Sequence, residues 1–318
     1  MGKIQFYKQR TFSEVVTTTF DFIRENWRPI LTYMVYILLP FSLVQALINN
    51  EFYKVSGFTG FAQAASYGYE TNEVSVIIYA LAMFLFNIVG MLLYYSLVFT
   101  LIELYNRRVD GLSGIGWSDI RPILWPFFRK ALAISLVISL GIFIIGLVTA
   151  LFVVVSPWTL VATIPAIIAV LIPLTFAYPG YLYTKDKLLG SLSHSFALGW
   201  RCWLSIFGVS LLTGLLSGVL QTITSMPFQL TFLFNAITAS NGSSESMSPM
   251  MSFLFYLFGV LQTFGAYIAS TIIPLSVSYL YAHAKEKYDG VTMESDIENF
   301  DRLGEREQNK EQQGDLFI

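Results

Sequence analysis

The chain has 318 residues, of which 55% are hydrophobic and 13% charged, against roughly a quarter charged in soluble domains. One aqueous core cannot hold that much apolar surface, so lipid must solvate most of it. The net charge of -2 says little, because the charges are segregated along the chain. It gives no reason to expect a nucleic-acid partner. The one cysteine, Cys202, excludes an intrachain disulfide.

The first segment carries Lys3, Lys8, Arg10, Arg24 and Arg28 and has no apolar run ending in a small-residue cleavage site, so no cleavable signal is read there. Phe12, Val16, Phe20, Ile23 and Trp27 recur at spacings of three and four, with Glu14, Asp21, Arg24, Glu25 and Arg28 on the remaining face. This predicts an amphipathic helix over 11–28 lying in the membrane interface. Stretches of about 20 apolar residues, enough to cross roughly 30 Å of hydrocarbon, then follow at about 30–48, 77–104, 131–155, 159–182, 203–224 and 251–283. The predicted fold is therefore an all-α integral membrane bundle of six helices with interfacial amphipathic helices, a single transmembrane domain over 1–283. Ser156-Pro157-Trp158 reads as a hairpin tip, and Pro165, Pro173 and Pro179-Gly180 predict kinks in the fourth span, as do Pro40 and Pro274 elsewhere.

The segment from Pro227 to Pro249 begins apolar and ends Ser-rich, which predicts either a piece lying on the outer surface or a re-entrant one. Within it, Asn241-Gly242-Ser243 fits a glycosylation acceptor. Residues 284–318 form a charged tail expected to be mostly disordered, beyond a short helix from Thr292 to Phe300. Of 19 Lys and Arg residues, only Lys54 falls on the opposite side of this map from the rest. The positive-inside rule then predicts that both termini are cytoplasmic, in what reads as a bacterial inner membrane.

Leu188, Leu192, Phe196 and Trp203 stand 176 residues after Phe12, Val16, Phe20 and Trp27, and Ser195-Phe196 matches Thr19-Phe20. Trp117, Ile120, Leu124 and Phe127 line one face of a third segment, ahead of the third span. Two accounts stay open. The chain is built from repeated units, each an interfacial helix followed by a transmembrane hairpin, or segments beside spans are amphipathic for local reasons.

Arg10-Thr11-Phe12-Ser13-Glu14-Val15 and the aromatic helix ending in Asn26-Trp27 resemble the start of the membrane domain associated with glycerophosphoryl diester phosphodiesterases. Residues 191–198 with Trp200-Arg201 resemble that family's helix before its fifth span, and 290–298 its acidic ending. The resemblance covers nearly the whole chain and implies a membrane module linked to lipids. It transfers no catalytic residue, since in the phosphodiesterases the chemistry belongs to a separate soluble barrel.

Chemistry-bearing residues are sparse. There are two histidines, and His194, His283 and Glu103 form the one polar cluster that a metal or an acid–base reaction would draw on. No metal and no cofactor is expected. Gly111-Leu112-Ser113-Gly114 resembles a rhomboid-protease serine motif, but it lies in a basic loop and reads as a turn. Gly214 and Gly218 are spaced for close helix packing. The span centres hold no charge; Glu103 can pair with Arg107 one turn on, and Gln45, Asn87, Gln221 and Gln262 can bond between helices. Arg107, Arg108, Arg201 and Lys285 are candidate contacts for anionic lipid.

Three functional readings remain. The first is a non-enzymatic module binding membrane lipids or another membrane protein. The second is a membrane enzyme acting on an apolar substrate, such as a carotenoid, with the histidines and Glu103 converging. The third is a passive lipid or solute transporter built on the kinked fourth span. Oligomeric state is not legible.

Overall fold

The structure is a computed structural model that describes residues 3–56, 73–184, 186–240 and 249–292. Among these the chain is helical, without strands. The helices are α1 (Phe12–Ser56), α2 (Glu73–Arg107), α3 (Trp117–Val155), α4 (Leu160–Leu174), α5 (Ala177–Tyr183), α6 (Leu188–Arg201), α7 (Trp203–Ser240), α8 (Pro249–Ser270) and α9 (Ile272–Asp289). A 3₁₀ turn at Pro157–Thr159 joins α3 to α4, where the hairpin tip was expected. Six segments, namely α1, α2, α3, α4 with α5, α7, and α8 with α9, are long and apolar enough to cross a membrane. The protein is a multi-pass integral membrane protein with an all-α six-helix bundle.

Several helices outrun their sequence boundaries. α1 continues to Ser56, and α7 runs unbroken to Ser240. The stretch from Pro227 to Ser240 therefore extends the fifth span, in place of the surface or re-entrant piece expected there. Lys185, Asn241-Gly242-Ser243 and the tail from Met293 onward lie outside the described residues.

Helix breaks follow proline chemistry. A proline lacks an N–H and its ring crowds the carbonyl four residues earlier. α4 ends just after Pro173, and the Thr175 and Phe176 amides donate instead to Ile172 O and Pro173 O, each at 3.2 Å. The last span breaks at Thr271, three residues before Pro274. α1 is bent at Asn26 (φ -116°, ψ 17°), three residues before Pro29, and the Asn26 side chain Nδ2 donates back to Phe22 O at 3.0 Å. Pro40 sits inside α1 without ending it.

The repeat is geometric as well as sequential. Cys202, which stands 176 positions after Asn26, breaks the α6–α7 junction with nearly the same backbone angles (φ -106°, ψ 17°). Buried positions coincide: Val15, Thr19, Phe22, Asn26, Ile30 and Tyr33 answer to Ser191, Ser195, Leu198, Cys202, Ile206 and Val209. α3 supplies a third copy in Ile120, Leu124, Phe127 and Ala131. Its start repeats that of α1. Thr11 N–H donates to Glu14 Oε2 (2.6 Å), and Gly116 N–H donates to Asp119 Oδ2 (3.0 Å), the same side-chain cap on two helix starts. Each unit also closes on a Leu-Tyr pair, Leu104-Tyr105, Leu182-Tyr183 and Leu280-Tyr281, whose leucines are all buried.

The most enclosed side chains, including Phe22, Phe99, Tyr105, Phe176, Tyr279 and Tyr281, gather at the end of the bundle that carries residues 3–10. This end is called the basic end below. Away from it the spans expose broad apolar faces, which lipid would cover.

Within this chain Gly214 and Gly218 do not pack against a neighbouring helix. A Cβ built on either meets nothing within 4 Å, so both look away from neighbouring helices. Close approach occurs elsewhere: a Cβ on Gly199 would lie 2.7 Å from Pro173 O, and one on Gly265 would lie 2.6 Å from Thr224 Cβ.

Candidate functional site

At the basic end, residues 3–10 thread across the bundle as a strap. Phe6 packs edge-on against Tyr183 at 5.4 Å and lies 5.7 Å from Tyr279. Arg10 is 7% exposed, and its guanidinium donates to the carbonyls of Phe6 (2.9 Å), Lys8 (3.3 Å) and Gln5 while lying 5.3 Å from the centre of the Tyr279 ring. Burial pulls its pKa below the usual arginine value and pushes the Tyr7 hydroxyl up to about 12, with the charge of Glu103 adding to the latter. The strap also ties down helix ends. Lys3 Nζ donates to Asn106 O (2.8 Å) and Arg108 O (2.9 Å) at the end of α2. Lys130 Nζ caps α5 through Tyr181 O, Leu182 O and Thr184 O at 3.1, 3.3 and 2.6 Å. A cation at a helix C-terminus meets orphan carbonyls and the negative end of the dipole.

The predicted polar cluster does not assemble. Glu103 pairs with Arg107 at 2.6 Å. His194 Nε2 lies 2.9 Å from Asp289 Oδ2, and His283 Nδ1 accepts the Arg10 amide N–H at 2.8 Å, so each histidine has its own partner. Among the described residues no three His, Cys, Asp or Glu side chains come together in a way that could hold a metal ion. The candidate lipid contacts are also dispersed. Arg107 and Arg108 are engaged by Glu103 and Asp119 (2.6 and 2.8 Å), Arg201 lies over the Tyr288 ring at 5.5 Å, and Lys285 is half-buried on α9. The Gly111–Gly114 segment is a turn with left-handed φ at both glycines (62° and 63°).

Two depressions meet at the bend of α1. One, of about 780 Å³, opens at the basic end between Lys3, Glu25, Arg28, Tyr33 and the turn at Asp110–Ile115. The other, of about 690 Å³, is an apolar groove along α1, α7 and α8, lined by Phe20, Met34, Leu220, Phe264 and Ile268 among others. Trp27 lines both, with the Arg28 guanidinium 5.4 Å from its ring. Sequence reasoning named Lys3 and Arg28 as charges of the first segment but not as lipid contacts. For Arg28 a signal existed, an aromatic residue beside a cation just ahead of a proline in Trp27-Arg28-Pro29, and for Lys3 there was none.

A third cavity, of about 500 Å³, lies toward the far end among α1, α2, α7 and α8, and is lined by the amides of Gln45, Asn49, Asn50, Asn87 and Gln262. Gln45 Nε2 donates to Asn87 Oδ1 (2.6 Å), Asn87 Nδ2 donates to Met83 O (2.7 Å), and the Tyr267 hydroxyl donates to Gln45 Oε1 (3.1 Å). Between helices, Gln221 also donates to Ser270 Oγ at 3.1 Å.

Fold and surface define a helical multi-pass membrane protein with lipid-exposed faces and a polar, aromatic basic end. No family model, curated protein or solved structure matches the chain.

Proposed function

We propose that this protein is a non-enzymatic membrane module that binds phospholipid at the bend of α1, with its basic end on the cytoplasmic side of a bacterial inner membrane. The meeting of a polar depression and an apolar groove at Trp27 carries this reading, because a phospholipid has the same division between headgroup and chain. Lys3 and Arg28 would face the phosphate, while Glu25 and Asp110 in the same depression would favour a headgroup that also bears an ammonium. Arg107, Arg108, Arg201 and Lys285 would add general attraction to anionic lipid. The outward apolar residues of α1 before and at its bend, Phe12, Phe20 and Trp27, would sit among headgroups, as in an interfacial helix. The resemblance to the membrane domain of glycerophosphodiester phosphodiesterases points the same way. An enzymatic role needed Glu103, His194 and His283 to meet, and each is engaged elsewhere.

Native mass spectrometry of the protein extracted from its membrane tests the proposal. Retained phospholipid should fall at least fivefold in Trp27→Ala/Arg28→Ala and stay at the parent level in Arg121→Ala, an exposed control. Retention that is unchanged in the double variant would refute it.

A further inference from the structure

The far cavity is the least explained feature of the bundle. From the bend at Asn26, Asn50 lies about 36 Å along α1 at 1.5 Å per residue, which places it near the far boundary of the hydrocarbon; Gln45 lies about 28 Å along, still inside it. Amides at such depth are costly unless they are paired. Here the pairing is incomplete. Gln45, Asn87 and Tyr267 satisfy one another, whereas the Asn49 and Asn50 side-chain oxygens, both shielded from solvent, have no hydrogen-bond partner, and Asn50 is only 6% exposed. Among the described residues lining the cavity none is charged. One wall is aromatic, with the Phe228 and Phe255 rings tilted against each other at 4.7 Å between ring centres. The other is formed by Phe84, Ile88 and Met91 of α2, which face outward toward lipid.

We propose that this cavity binds a neutral, hydroxyl-bearing lipid of the far leaflet, its hydroxyl at Asn49 and Asn50 and its chains against the Phe228–Phe255 wall and the outward face of α2. A charged headgroup would find no counter-ion there and would have to shed its hydration. A hydroxyl can donate to one of the two amide oxygens and accept from an amide N–H, so it suits an amide-lined site in either sense. A volume of about 500 Å³ lies within the range of small-molecule sites, and the open α2 side lets the ligand enter laterally from the bilayer. The site is separate from the bend of α1, and neither reading depends on the other.

The probe is radiolabelled 1,2-dioctanoylglycerol added to purified protein in detergent. Saturable binding is expected, at least tenfold weaker in Asn50→Leu, which replaces the amide by an apolar group of similar size, and in Ala266→Phe, which fills the cavity. Two comparisons need no variant. The 3-O-methyl ether of the same lipid should bind at least fivefold more weakly, and dioctanoyl phosphatidic acid should not compete. Lys3→Ala/Arg28→Ala should leave the binding unchanged, which separates this site from the one at the α1 bend. Equal binding of the hydroxyl and the ether, or effective competition by phosphatidic acid, would overturn the proposal whatever the variants do.

Discussion

Arg10 gives up most of its hydration to sit among Phe6, Tyr279 and three backbone carbonyls, and its planar donors match those carbonyls in a way that a lysine ammonium cannot. Arg10→Ala should lower stability by roughly 2–3 kcal/mol, the worth of hydrogen bonds to a charged group, and Arg10→Lys should recover less than half of that. The lone thiol offers the readout. Cys202 is 7% exposed at the α6–α7 break, and burial raises its pKa above the usual thiol value, so the reactive thiolate is scarce in the folded protein. Maleimide labelling at neutral pH should run at least tenfold slower in folded than in denatured protein. Rapid labelling of the folded parent would mean that the α6–α7 break opens freely.

At the scale of the helices, the glycines separate true contacts from apparent ones. Gly199→Ala would press a methyl against the Pro173 backbone at 2.7 to 2.9 Å, and this should cost about 1–3 kcal/mol. Gly214→Ala and Gly218→Ala meet open space and should change stability by no more than about 0.5 kcal/mol. Thermal unfolding of the three variants checks the contrast, and equal losses would restore the packing role implied by their spacing. The spans themselves were legible, because length and hydropathy are what a bilayer demands. Which face of each helix turns inward was not. The spacing of Phe12, Val16, Phe20 and Trp27 marked the face expected in the membrane interface, and Phe12, Phe20 and Trp27 do point outward, but it gave no sign that Val15, Thr19, Phe22 and Asn26 form the buried face. In lipid, apolarity no longer distinguishes inside from outside, and small or hydrogen-bonding side chains are drawn to the interior instead. The same inversion hid the far cavity: Asn49-Asn50 read as the end of a span, but α1 carries them onward as helix to Ser56.

For the whole molecule, the three repeated units and the charge distribution support one topology. Side-chain contacts bring residues 3–10, Asn106, Arg108, Lys130, the end of α5, His194, His283 and Asp289 to a single end of the bundle. Six crossings that return the end of α9 to the side of residues 3–10 agree with these contacts. Among the described residues Lys54, near the end of α1, is the one Lys or Arg set apart from that end, and loops rich in Lys and Arg resist translocation. The basic end should therefore be cytoplasmic. Ser243→Cys, in the connection between α7 and α8, should react in intact cells with a membrane-impermeant maleimide, whereas Gln308→Cys should react only after the cells are permeabilised. Because Cys202 is buried, the parent supplies a low background without further substitution. Labelling of Gln308→Cys but not Ser243→Cys in intact cells would invert the map, moving Lys3 and Arg28 to the external leaflet and the amide-lined cavity to the cytoplasmic one. Labelling of both in intact cells would mean an odd number of crossings, which six spanning helices cannot produce.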